Sequence, residues 1–199
     1  MGMGLAHLYI TNKQHKTMNT QEVEVKTKWG VDASHSEVQF KVKHLVISTV
    51  TGFFRKFSGA VESESEDFNG AKVTFSIDAK SIDTNVADRD AHLKSPDFFA
   101  ADQYPTIEFK NGVLKKISDE NYKLTGDLTI RDVTKRVELN AEYNGIVADP
   151  WGNTRAGFEV KGSINRKDYN LSWGAITEAG KVVVADEVKL LFNIEVVRA

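Results

Sequence analysis

Apolar and polar residues alternate along most of the chain from residue 36 onward. In the segment 36–45, SEVQFKVKHL, residues Val38, Phe40, Val42 and His44 fall on one face of an extended chain, and charged or amide side chains fall on the other. A period of two is typical of a strand with one buried face. The pattern predicts further long strands at 71–78, 121–131, 136–143, 155–165 and 187–196, and shorter strands at 53–61, 105–115 and 181–185.

One segment, 84–101, does not alternate. It contains Ala, Arg, His, Leu and Lys residues, which favour a helix. Asp83 or Thr84 is placed to cap its start, and Ser95-Pro96 should end it. The sequence therefore predicts a short helix between two strands.

The apolar face of so many strands has to be covered, and one short helix is too small to cover it. The sheet must cover itself, and closure into a barrel does so while removing the sheet edges. A barrel of about eight strands is either filled by its own side chains or holds one small ligand. A β-sandwich satisfies the same pattern. We therefore predict an all-β fold with one short helix, either an antiparallel barrel of about eight strands or a β-sandwich.

Composition narrows the class of protein. A chain of 199 residues has the usual size of one domain. Its 26 basic and 28 acidic residues give a net charge of −2, which argues against a nucleic-acid partner. The absence of cysteine excludes disulfides, thiolate catalysis and cysteine-ligated metals. The 11 phenylalanines against 3 prolines direct attention to where the phenyl rings fall.

Residues 1–17, MGMGLAHLYITNKQHKT, differ from the rest of the chain. Their apolar stretch is too short to span a bilayer, which takes about 20 residues. It also lacks the basic start and the small-residue cleavage site of a signal peptide. We expect an N-terminal extension, disordered or non-native, ahead of a single barrel domain at 18–199, with no membrane span. A cytoplasmic location is expected in preference to a periplasmic one.

The usual catalytic signatures are missing: the chain has no phosphate-binding loop, nucleophile elbow or paired-histidine zinc motif. His44 ends an inward-facing apolar series. It is either a hydrogen-bonded histidine at the barrel rim or a polar group that meets a ligand's head group at a cavity mouth. An enzyme that uses His44 with His92 or Asp90 as acid and base on a small lipophilic substrate is the alternative function. A filled barrel that serves as an interaction module is a third possibility.

Two other features each allow two interpretations. The helical segment is either a solvated surface helix or a lid over one barrel end, and a lid would turn Phe98 and Phe99 inward. Trp173 either packs in the core or lines a pocket. In the predicted strand 53–61, Phe53 should face inward and Phe54 outward, and Phe68 falls in a loop.

Five blocks of the chain, in consistent order, resemble the YceI-like domain family, and the resemblance extends over roughly 27–197. The blocks are DASHSEVQFKVKHL, VTGFFRKFSG, SIDTN with DRDAHLKSPDFFAADQYPTIEF, LTGDLTIRDVTKRVEL and WGNTRAGFEVKGSINRKDYNLSW.

The resemblance implies a lipocalin-like extended antiparallel β-barrel whose interior holds a long-chain amphiphile. That ligand would be a polyisoprenoid or an isoprenoid-quinone-like lipid, or in some members a fatty-acid-type lipid. The resemblance also implies a homodimer, no required cofactor and no catalytic activity. Carried over by position and supplemented by the inward series, it implies these ligand-binding residues: Phe40, Val42, His44, Phe53, Phe57, Phe75, Leu93, Phe98, Phe99, Phe109, Leu128, Phe158, Ile164 and Trp173.

Overall fold

The structure, a computed structural model, describes residues 26–174 and 183–199. This part of the chain forms eleven strands and one α-helix. The predicted extension 1–17 lies outside the described residues, as do residues 181 and 182 of the predicted strand 181–185. The elements in chain order are β1 (Thr27–Val31), β2 (Glu37–His44), β3 (Ser48–Phe54), β4 (Phe57–Ser63), β5 (Lys72–Asp78), β6 (Ile82–Asp83), α1 (Ala87–Lys94), β7 (Thr106–Lys116), β8 (Asn121–Ile130), β9 (Val133–Ala148), β10 (Thr154–Asn165) and β11 (Val184–Arg198).

Eight of these strands close into an antiparallel barrel in the order β1-β4-β5-β7-β8-β9-β10-β11, with β11 paired back to β1. The long strand β11 pairs with β1 near its end, where Val196 lies opposite Val31. The earlier part of β11 pairs with β2, and the sheet extends from β2 through β3 to β6. The prediction of an all-β antiparallel barrel with one short helix is confirmed.

The predicted strand 53–61 is wrong in one respect: it is two strands. β3 ends at Phe54 and β4 begins at Phe57. The direction of the chain changes at Arg55, whose backbone N–H donates to the Ser81 carbonyl and whose side chain pairs with Asp83 at 2.8 Å. Strand β1 was not predicted, because five residues carry too short an alternation to stand out.

Helix α1 lies within the predicted segment 84–101, and Ser95 ends it as predicted. Its N-cap is Val86, so the expected caps Asp83 and Thr84 are wrong. Thr84 is buried instead, and both its backbone N–H and its hydroxyl donate to the Asp90 carboxylate. Instead of capping the helix start, Thr84 therefore binds a carboxylate within the helix.

One end of the barrel is plugged by Phe68, which lies in the connection between β4 and β5 and is fully buried. Its ring centroid lies 5.1 Å from those of Trp29 and Phe158 and 5.6 Å from that of Tyr143. We call this the plugged end. The other end carries α1 and a second apolar cluster that includes Phe54, and we call it the lid end.

Candidate functional site

An apolar cavity extends through the barrel interior between the plugged end and the lid end. The volume of the cavity that is open to the centre of a water molecule is about 200 Å³. Every strand of the closed barrel contributes to its wall, together with β2, β3 and the helical segment. The side chains are mostly aliphatic and aromatic, and they include Val38, Phe40, Val42, Phe54, Val61, Phe75, Ile77, Leu93, Phe98, Phe99, Phe109, Leu114, Leu128, Phe158, Ile164, Val188, Leu190, Phe192, Ile194 and Val196.

The cavity is long. On the regularly paired part of β11 the lining residues extend from Val188 to Val196. At about 3.3 Å per residue this is roughly 26 Å along the strand. A barrel strand tilted by about 40° projects that length onto roughly 20 Å of barrel axis, so the cavity suits an extended chain better than a compact metabolite.

Glycines on the inner wall make room for phenyl rings beside the cavity. A Cβ atom built on Gly126 would lie within 2.8 Å of three ring atoms of Phe109, which occupies the space a side chain would take. Gly52 and Gly59 stand in the same relation to the rings of Phe40 and Phe75. Because the rings lie over these glycines, three large side chains line the cavity without filling it.

The helical segment closes the lid end. Leu93, Phe98 and Phe99 line the cavity from this segment. The Asp90 carboxylate accepts hydrogen bonds from Thr84, and the Arg131 guanidinium donates to the Phe98 carbonyl at 3.1 Å. The lid geometry considered in the sequence analysis is therefore the one observed.

Arg166 is the one cationic residue among those that line the cavity in the described part of the chain. Only 3% of it is exposed. Its hydrogen bonds tie together the segments on either side of residues 175–182. Its guanidinium donates to one carboxylate and four carbonyls, those of Asp186, Leu171, Trp173, Val184 and Ala185.

Ten of the fourteen residues predicted to bind a ligand line this cavity. Whether they contact a ligand stays a prediction, but the fold does bring them to one apolar space. They are Phe40, Val42, Phe75, Leu93, Phe98, Phe99, Phe109, Leu128, Phe158 and Ile164.

The other four are not among the lining residues. Phe53 faces the outside of β3, where the Arg55 guanidinium lies 4.5 Å from its ring centroid. The expected orientations of Phe53 and Phe54 were therefore reversed. The register explains the error, since Phe54 lies opposite the buried Val38 on β2.

Phe57 does share the inward face of β4 and stacks on Phe75 at 5.7 Å, but it does not line the cavity. His44 ends β2 opposite Ser48 and is partly exposed, which agrees with a rim histidine. Trp173 packs against the rings of His92 and Phe98, at 5.1 and 5.2 Å. The predicted pocket positions of His44, Phe57 and Trp173 are corrected accordingly.

Several lining residues were not among the predicted ligand-binding residues. Leu190, Phe192 and Ile194 belong to the inward series of β11, so the alternation already contained the signal for them. Arg166 had no such signal, because its burial depends on how the segments 171–173 and 184–185 fold around it.

Two residues of the alternative enzyme, His92 and Asp90, have other partners. His92 Nε2 lies 2.9 Å from the Asp97 carboxylate, and the Asp90 carboxylate is held by Thr84. Across residues 26–174 and 183–199, no hydrogen bond or ion pair joins the His44 ring to either residue. The third possibility, a filled barrel without a continuous cavity, is contradicted by the cavity itself.

A group of ionisable residues lies near the plugged end, outside the cavity. Arg155 pairs with Asp149 at 2.7 Å and with Asp32 at 2.8 Å, and it also contacts Glu195. The Ser34 hydroxyl and the Arg155 guanidinium hold the pKa of Asp32 well below its usual range. Hydrogen bonding from Arg155 likewise lowers the pKa of the Asp149 carboxyl.

His35 joins Asp32 and Glu195 in an arrangement with the size of a metal site. The Arg155 guanidinium already occupies both carboxylates, so a cation would have to displace it, and these residues fit a cation poorly. Among the described residues, no helix is long and apolar enough to cross a membrane.

Comparison with known proteins agrees with this geometry. A family model described as the YceI-like domain matches residues 29–196. A UPF0312 protein of Pectobacterium carotovorum is 38% identical over 171 residues, which are 86% of this chain and 85% of the relative. A UPF0312 protein of Staphylococcus aureus is 38% identical over 164 residues, which are 82% of this chain and 93% of the relative.

Solved structures share the fold. BcnA of Burkholderia cenocepacia superimposes with a TM-score of 0.72 at 24% identity, covering 83% of this chain and 98% of that protein. A polyisoprenoid binding domain from Saccharophagus degradans, implicated in plant cell wall breakdown, gives a TM-score of 0.63 at 16% identity. It covers 86% of this chain and 98% of that domain. At these identities the likeness is one of fold alone.

Proposed function

The chain belongs to the YceI-like domain family, and from this premise we propose that it binds a long-chain amphiphilic lipid inside the barrel and sequesters or carries it. The proposed ligand is a polyisoprenoid or an isoprenoid-quinone-like lipid. The observation that carries the proposal is the long cavity, whose wall is aliphatic and aromatic along its length. The polyisoprenoid binding of the Saccharophagus degradans domain supports the choice of lipid class.

The chemistry of the wall favours a ligand that is held by burial. The Arg166 donors are directed to protein acceptors, and the Glu108 carboxylate, whose residue also borders the cavity, is bound by Lys110 at 2.8 Å. Few polar groups are therefore available to direct a small polar substrate. Affinity would come from apolar contact along the chain.

Magnitudes favour long chains. Burial of a CH₂ group contributes about 0.8 kcal/mol, and association costs about 4–15 kcal/mol. At 0.8 kcal/mol each, about ten buried carbons contribute an amount that lies within the range of this cost, so the cost can cancel it. Twenty or more apolar carbons exceed the cost, and the length of the cavity accommodates an extended chain.

The experiment is extraction and reloading of the full chain. Native mass spectrometry and organic extraction of purified protein should reveal a long-chain isoprenoid lipid, and delipidated protein should take up a polyprenol probe. Leu190 and Leu191 provide a matched pair, because Leu190 lines the cavity and Leu191 does not. Leu190→Trp should abolish uptake, and Leu191→Trp should leave it unchanged.

A barrel that is repeatedly empty and takes up no polyprenol would overturn the proposal. Equal uptake by the Leu190→Trp variant would show that lipid binds elsewhere. Recovery of fatty acids alone would retain a chain-binding cavity but contradict the isoprenoid class. The homodimer and the cytoplasmic location stay predictions.

A further inference from the structure

The connection between β2 and β3 exposes apolar side chains to solvent. We refer to Leu45–Ile47 as the β2–β3 tip. Val46 is 72% exposed and Ile47 is 83% exposed. Leu45 and Val46 also adopt positive φ values of 51° and 66°. Residues other than glycine rarely adopt this region, and β-branched residues such as valine do so least. An asparagine or a glycine in this turn would tolerate the positive φ and would expose no apolar side chain.

The tip adjoins the lid end of the cavity. The Leu45 backbone N–H donates to the Val183 carbonyl at 2.9 Å, and His44 lies opposite Val184. Val42 and Val184, the lining residues next to the tip on these two strands, belong to the cavity wall. An apolar surface outside the barrel therefore lies beside the apolar space inside it.

Basic residues accompany the tip on the outward face of the same strands. Lys41, Lys43 and Lys189 are exposed, and Lys41 lies directly opposite Lys189. Like charges in this position are destabilising. No ion pair within residues 26–174 and 183–199 includes any of the three lysines. Glu187 is the exposed carboxylate on the same face of β11, so the local charge is positive.

The plugged end also exposes apolar residues, but its charge is of the opposite sign. Trp151 is 82% exposed and Val147 is 63% exposed. In the same turn, Asp149 accepts a hydrogen bond from the Trp151 backbone N–H. The carboxylates of Asp32 and Glu195 share one guanidinium with Asp149. Charge thus distinguishes the two apolar surfaces.

We propose that the β2–β3 tip docks on the surface of an anionic lipid bilayer. Val46 and Ile47 would enter the interface while Lys41, Lys43 and Lys189 contact the head groups. The inference rests on the proposed function, since a lipid with a long apolar chain resides in a membrane and has to reach the cavity from there. Docking at the tip places the lid end of the cavity next to the bilayer.

The test is flotation of the full chain with phosphatidylglycerol–phosphatidylcholine vesicles. Wild-type protein should float with these vesicles, float less with pure phosphatidylcholine, and dissociate as the salt concentration rises. The double variant Val46→Asn with Ile47→Ser should bind at least about tenfold more weakly. Because asparagine tolerates positive φ, this variant should fold at least as well as the wild type. Lys41→Glu with Lys43→Glu should remove the preference for phosphatidylglycerol.

The control is Val147→Ser with Trp151→Ser at the plugged end, which should float like the wild type. Uptake of a polyprenol probe from detergent micelles reports on the cavity alone and should be unchanged in the tip variant. If wild-type protein takes up no polyprenol from micelles, the proposed function is overturned. If it takes up polyprenol normally but does not float with the vesicles, only the docking proposal is overturned. If the plugged-end variant loses as much flotation as the tip variant, the assignment of docking to the β2–β3 tip is overturned. A change of oligomeric state caused by the tip substitutions would show that a second copy covers the tip, and would also overturn it.

Discussion

Substitution of Gly126 by alanine tests whether glycines keep the cavity open. The added Cβ would lie within 2.8 Å of three Phe109 ring atoms, whereas carbon atoms in contact are separated by about 3.5–4.0 Å. The ring would have to retreat by roughly 1 Å or more. Because the barrel wall lies behind the Phe109 ring, the ring can move only into the cavity. Overpacking of this kind costs about 1–3 kcal/mol of unfolding free energy.

The same displacement should weaken lipid binding. If the ring takes the space of about two methylene groups, the loss is roughly 1.6 kcal/mol at 0.8 kcal/mol each, or more than tenfold in affinity. Urea denaturation measures the first effect, and titration with a polyprenol probe measures the second. Phe109→Leu in the same chain should recover much of both losses, since the shorter side chain leaves room for the Cβ.

Gly30→Ala is the control, because no heavy atom lies within 4 Å of a Cβ built there. It should change neither stability nor affinity appreciably. If Gly126→Ala behaves like Gly30→Ala in both measurements, the role assigned to the glycines is refuted. Loss of affinity that Phe109→Leu does not relieve would also contradict it.

Three further outcomes are expected. Arg166→Met should lower the unfolding free energy by about 3–5 kcal/mol, because buried acceptors lose their donor; Lys167→Met, at an exposed ion pair, should cost less than about 1 kcal/mol in the same urea titration. Phe54→Ala should destabilise by about 3 kcal/mol and Phe53→Ala by less than about 1 kcal/mol, and the opposite order would restore the sequence-based orientation. Asp32 and Asp149 are among the carboxylates with depressed pKa values. They bind protons more readily in the unfolded chain, so the unfolding free energy should fall as pH drops below about 4. Arg155→Met should flatten that decline, measured as the unfolding free energy against pH.

Much of the lining of the long strands was readable from sequence because parity is fixed wherever a strand pairs without a register shift. Strand β7 has such a shift, and its inward residues change from Ile107 and Phe109 to Leu114. Phe75, Phe109 and Phe158 lie inward as their alternation predicts.

Parity is not preserved through a break in a strand. The chain turns at Arg55, and β3 and β4 then take their registers from different partners, β2 and β5. Phe53 therefore faces outward although the alternation of the predicted strand placed it inside.

The sequence by itself determined an all-β antiparallel sheet that covers its own apolar face, because period-two strands and a single short helix leave no other cover. Closure into a barrel rather than a sandwich was implied by the family resemblance, and the pairing of β11 with β1 confirms it. The sequence also determined most of the apolar wall.

Only the tertiary structure decided how that wall is closed and kept hollow. Phe68 plugs one end from a loop, and Arg166 is buried among the carbonyl groups of two segments, 171–173 and 184–185. The Phe109 ring lies over Gly126 on the neighbouring strand. Each depends on which residues face each other across strands, and that register is set by pairing over long sequence separations rather than by local pattern.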